Sequence, residues 1–203
     1  MGLIPESTFM QISDSFVRGE VPPGLRAPES GLAPDVTGAF TIEGVPEGQY
    51  VVLAGFENDF LVRDPDPGIA GTQIVHLEVP DPTDGVDITI DSSFKITGAL
   101  VMIGPGAESP EAVDASDLAF QWEDDSSEDF YTLVVYDAFG TEVWFVPDVP
   151  RVTGGDVVEG DYTGPALTPG MFYQWRAESH RDTGPISTTE DLRGVFFVPG
   201  AVN

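Results

Sequence analysis

A chain of 203 residues carries 35 acidic against 8 basic side chains, a formal charge of −27 at pH 7, and no cysteine. That charge disfavours nucleic acid and anionic membrane surfaces as partners, and the missing thiols remove disulfides, thiolate zinc sites and cysteine nucleophiles. Hydrophobic residues at 41% suffice for packed cores, so the acidity reads first as solubility or salt adaptation, then as a preference for divalent cations or basic partners.

Taken along the chain, Phe16-Val17-Arg18-Gly19-Glu20-Val21 is followed by a Pro/Gly-rich stretch over 22–35. Phe40 and Ile42 then alternate with Thr41 and Glu43, the period of a half-buried strand. Gly44, Pro46 and Gly48 supply a turn, and 50–56 is a β-branched and aromatic run of one strand's length, so a hairpin is expected across 38–52. Short strands are expected over 59–63 and 73–79, with His76 on the second, and Val86, Ile88 and Ile90 form an apolar row for another. The 38–52 phrase resembles the carboxypeptidase-regulatory-like (prealbumin-like) β-sandwich module. That resemblance implies a spacer or adhesive unit without chemistry of its own. In that frame 16–21 fills the opening strand and 86–90 closes the sandwich. The short 22–35 stretch leaves one strand missing, or to be supplied by the preceding residues or by another chain, and an open edge is where a partner chain would bind.

After residues 94–101, the aperiodic Gly/Pro/Ser-containing stretch 104–110 is the linker candidate. The expected organisation is 1–103, a linker over 104–110, and 111–203. No segment carries a helix of four turns, and 109–117 is a loop or a single turn. The fold class is therefore all-β, as two tandem β-sandwiches.

Beyond the linker the composition changes: Trp122, Trp144, Trp175 and four of five tyrosines lie there. Leu118, Phe120 and Trp122 alternate, an acidic loop follows, and strands are expected over 130–137 and 142–146. Leu167-Thr168-Pro169-Gly170 then leads into Tyr173 and Trp175, and 194–198 reads as the final strand. This pattern resembles a fibronectin type III domain. The resemblance makes Tyr173 the corner tyrosine whose hydroxyl ties back to nearby backbone.

Chemistry is sparse. His76 and His180, the latter expected in a loop, are too far apart in sequence to suggest a cluster, and no nucleophile elbow, zinc-protease motif or phosphate loop is present. The chain is expected not to be an enzyme. The acidic loop 123–129 offers Asp124, Asp125, Glu128 and Asp129 as calcium ligands, since hard cations need several oxygens, although a solvated loop is the commoner meaning of such a run. Asp64, Asp66, Asp81, Asp84 and Asp87 are a weaker second group. Trp144 and Phe145 are consecutive on one strand and must face opposite ways, so one of them is available for contact; the same holds for Phe172 with Tyr173 and Phe196 with Phe197. A neighbouring domain or chain fits such an aromatic better than a sugar, because no polar sugar-binding groups accompany it.

No apolar run approaches a membrane span, and no basic stretch followed by an apolar one opens the chain. The expectation is a non-enzymatic structural or adhesive module pair, extracellular or at the cell surface, contacting other protein chains through edge strands. The alternative is a carbohydrate-binding accessory module of a larger secreted enzyme, with glycans as the partner.

Overall fold

The computed structural model describes residues 2–6, 40–53, 60–66, 68–69, 75–81, 85–91, 95–152 and 157–200. Over these residues the chain is all-β, with its strands in four sheets, and no helix is long and apolar enough to cross a membrane. The first half contributes β1 (Gly2–Pro5), β2 (Gly48–Leu53), β3 (Leu61–Arg63), β4 (Val75–Val79) and β5 (Ile96–Gly98). β2 lies between β1 and β4, antiparallel to both, while β3 pairs with β5.

The hairpin expected across 38–52 does not form among the described residues. Its turn is present: Gly44 has φ of 69°, and the Tyr50 hydroxyl donates to the Pro46 carbonyl at 3.0 Å. Residues 40–43, however, are not a strand, and Phe40 and Ile42 stand exposed. The reason lies in β2, whose two edges are filled by β1 and β4, leaving no ladder for the preceding segment. The strand β1 that takes one edge was not anticipated. Residues 86–90 are not a strand either, and Val86 is 60% exposed. The pieces 16–21 and 22–35 lie outside the described residues.

The second half holds β6 (Met102–Gly104), β7 (Glu111–Ala112), β8 (Ala119–Glu123), β9 (Phe130–Asp137), β10 (Glu142–Pro150), β11 (Val157–Asp161), β12 (Phe172–Arg181), β13 (Gly184–Thr188) and β14 (Val195–Phe197). One sheet runs β11-β8-β6; the other runs β10-β9-β12-β14-β7, with β13 continuing the β12 edge beyond β14. The expected alternation holds on β8 and β9, where Phe120, Trp122, Tyr131, Leu133 and Val135 are fully buried. Phe120 and Trp122 of β8 meet Trp175 and Phe196 of the facing sheet: Phe120 and Trp175 centroids lie 5.3 Å apart, Phe120 and Phe196 5.6 Å, Trp122 and Trp175 5.9 Å. Offset and edge-on aromatic contacts of this kind add to the area buried. At the entry to β12, the Thr168 amide donates to the Tyr173 hydroxyl at 2.7 Å, the tie expected of a corner tyrosine.

Residues 104–106 are bonded to the second-half sheets. Gly104 pairs with Gln121 of β8, Pro105 accepts a 2.7 Å bond from the Trp175 indole, and the Gly194 amide donates to the Gly106 carbonyl at 2.9 Å. The joint with the first half is also bonded. Leu100 bridges Thr189 in parallel, its amide donating to the Thr188 carbonyl at 2.9 Å, and the Ser187 hydroxyl donates to the Gly98 carbonyl.

Candidate functional site

The acidic loop joins β8 to β9 at one end of the second-half sheets. It turns through Ser126 at φ of 63°, a left-handed conformation uncommon for a residue other than glycine. The turn is secured by the loop's own acids. The Asp125 amide donates to the Tyr131 hydroxyl at 2.7 Å, and that hydroxyl donates to Asp124 Oδ1 at 3.0 Å. Asp125 Oδ2 accepts from the Ser179 hydroxyl at 2.9 Å, and its Oδ1 from the Ser127 hydroxyl at 3.3 Å. Asp129 accepts the Asp182 amide at 3.1 Å, while its own amide donates to the His180 carbonyl. Arg181 Nε donates to the Ser127 carbonyl and Arg151 Nη1 to that of Glu128.

Glu128 is 1% exposed; its Oε2 accepts the Ser127 amide at 2.9 Å, and among the described residues its Oε1 has no hydrogen-bond partner. Burial pushes the Tyr131 phenol well above its ordinary range; the Asp125 amide pulls it back, and the Asp124 and Glu128 carboxylates add to the rise.

The four acids proposed as calcium ligands are thus drawn to different internal donors. Among the described residues no three carboxylates or imidazoles come together as a cation cage, and calcium needs six to eight oxygens, roughly. In the second acidic group, Asp64 Oδ1 accepts the Asp66 amide at 3.0 Å and Asp66 Oδ1 the Gly68 amide at 2.7 Å, local turns of the Asx kind. Asp81 and Asp87 are exposed, and Asp84 lies outside the described residues. Millimolar calcium is expected to move the melting temperature no further than magnesium at equal ionic strength, because both only screen the net charge. A calcium-selective rise that disappears in Asp124→Asn, read by differential scanning fluorimetry, would overturn this.

Beside the loop lies a cleft of about 460 Å³, walled by residues 97–101, by Glu123, Asp124 and Asp125, and by Arg181 with Ser187 across from them. Its volume is in the range of small-molecule sites, but its charged walls differ from the mostly apolar lining such sites share.

The two aromatics on β10 part as alternation requires. Trp144 turns inward, its ring 6.0 Å from Phe120 and 4.9 Å from Tyr162, and joins the core. Phe145 points outward and is 48% exposed on the outermost strand of its sheet. Phe172 and Phe197 likewise meet on the outer face at 5.0 Å, while Tyr173 and Phe196 are buried. His180 is on β12 and not in a loop: it stacks on Phe130 at 4.9 Å and lies 3.0 Å from Glu178 Oε1. His76, on β4, lies 2.9 Å from Glu6 Oε1.

Tyr131, Ser179 and Arg181, which organise the loop, were missed from sequence. Ser179 and Arg181 each meet it across 54 residues of chain, and no local pattern announces a contact set by strand register. Compared with protein-family models, with curated proteins and with solved structures, the chain matches none.

Proposed function

We propose that the chain is a non-enzymatic structural or adhesive module pair of an exported surface or extracellular protein, with a prealbumin-like sandwich followed by a fibronectin type III-like one. The strand order supports the second assignment: β6, β8 and β11 form one sheet, and β10, β9 and β12 with β13 and β14 the other, as in sandwiches of that type. The Tyr173 tie to Thr168 agrees with it. Function follows from the fold by analogy.

One observation favours a structural over a chemical role. At the sheet end where loops usually carry binding or catalytic groups, the acids are engaged as braces between β8, β9 and β12. Contact with other chains then falls to β10, an edge strand that presents Phe145, and to the turn before it, where Phe139 is 82% exposed.

Sedimentation velocity from low to high micromolar concentration tests the reading. Concentration-dependent association is expected, and Phe145→Ser should weaken it while changing stability by less than about 0.5 kcal/mol, the usual range for surface substitutions. A strictly monomeric chain retained on a glycan array would favour the carbohydrate-binding accessory module. Turnover of simple ester or glycoside substrates, abolished by one carboxylate substitution, would overturn the non-enzymatic reading.

A further inference from the structure

The joint between the two halves contains an arrangement that neither half needs for its own core. Phe60 precedes β3 with φ of 63°, a left-handed conformation that a bulky residue adopts only when its surroundings impose it. Its ring is 54% exposed, so hydrophobic burial does not account for its position. Three contacts hold it. Its amide donates to Glu190 Oε1, its carbonyl accepts the Ala99 amide at 2.8 Å, and its ring lies 5.2 Å from the Arg193 guanidinium carbon. Glu190, 2% exposed, also pairs through Oε2 with Arg193 Nε at 2.9 Å.

We propose that Phe60, Glu190 and Arg193 form a latch that couples the β3–β5 pair of the first half to the second-half sheets as one cooperative unit. The three residues make a closed cycle: carboxylate to backbone amide, carboxylate to guanidinium, guanidinium to the ring of the residue that owns the amide. The bond from the Phe60 amide to the buried carboxylate is charge-assisted, the strong kind, and the Arg193 guanidinium beside the other oxygen adds an ion pair. The cycle also caps a run of contacts already in register. Ser187 bonds Gly98, Thr188 and Thr189 meet Leu100, and Glu190 reaches Phe60. The latch therefore closes the last open step between two segments distant in sequence. It goes beyond the proposed function, since coupling between halves does not depend on what the chain binds.

Hydrogen exchange on the full chain, read by mass spectrometry, tests it. In Glu190→Ala, peptides containing residues 60–63 and 96–100 are expected to exchange at least about tenfold faster, the scale of one lost bond to a charged group. Peptides from β8 and β9 should keep their protection. Glu190→Gln retains an acceptor for the Phe60 amide and should give a smaller acceleration in the same peptides; it also serves if the alanine variant fails to fold. Phe60→Asn keeps the amide and tolerates the left-handed conformation, so it isolates loss of the ring and should accelerate exchange less than Glu190→Ala. Unchanged exchange at 60–63 and 96–100 would overturn the latch, and so would acceleration spread evenly over β8 and β9. Neither outcome depends on self-association, so failure of the latch and failure of the proposed function are distinguishable.

Discussion

Replacing Gly106 with alanine is expected to be among the most destabilising single changes in the second half. Gly106 has φ of 76°, and a methyl group there would sit 2.4 Å from the Val195 carbonyl oxygen and 2.6 Å from the Val195 nitrogen. Both obstacles are backbone of β14, whose neighbour Gly194 also donates its amide to the Gly106 carbonyl, so relief requires moving a strand. Left-handed strain of about 1 kcal/mol and overpacking of about 1–3 kcal/mol together give a cost of about 3 kcal/mol. For a chain of this size that corresponds to a drop of about 10 °C in melting temperature. Gly170→Ala is the matched control. Its φ of 82° carries the same strain, yet among the described residues nothing lies within 4 Å of the new methyl, so it should cost only about 1 kcal/mol. Equal melting temperatures for the two variants would mean that 104–110 is not packed against β14.

The same glycine shows what composition leaves out at the joint. A Gly/Pro-containing stretch reads as a linker because both residues break periodic patterns. Here the absent side chain serves close approach between backbones, a use invisible without the partner strand. Alternation was a better guide where it involved large side chains. Leu118, Phe120 and Trp122 read as one buried face and are one, because aromatic rings of that size leave few other ways to satisfy burial. Phe40 and Ile42 show the limit of the pattern: alternation marks a segment able to pair, and pairing also needs an edge left open, which β2 lacks. The acidic loop depends on contacts just as distant in sequence. Carboxylates in sequence state a capacity to accept, and whether a cation or a protein donor fills it is decided by β12, which brings Ser179 and Asp182 to the loop through its register with β9. Tyr173 was legible because its tie is local, five residues back along the chain.

Tyr131 offers the second large effect, and one with a pH signature. Tyr131→Phe leaves the ring in place, 5.3 Å from Trp122, but removes the acceptor of the Asp125 amide and the donor to Asp124. An orphaned amide of this kind costs about 1–3 kcal/mol, which urea denaturation near neutral pH should show as a lower midpoint at unchanged slope. The phenol is also held neutral in the folded state, chiefly by burial. Its pKa there lies above that of the unfolded chain, so the unfolded state sheds a proton first as pH rises past about 10. Stability carried by the neutral phenol is thus complete below that pH and drains away above it. The phenylalanine variant has no such proton to lose. Its deficit against the parent chain should be largest near neutrality and shrink between about pH 9 and 11. Tyr162, also raised by burial, is common to both proteins and cancels in the difference. A deficit that stays constant across this interval would mean that Tyr131 titrates alike in folded and unfolded chains. The brace between β8, β9 and β12 would then be open to water, and the argument against a solvated acidic loop would fall with it.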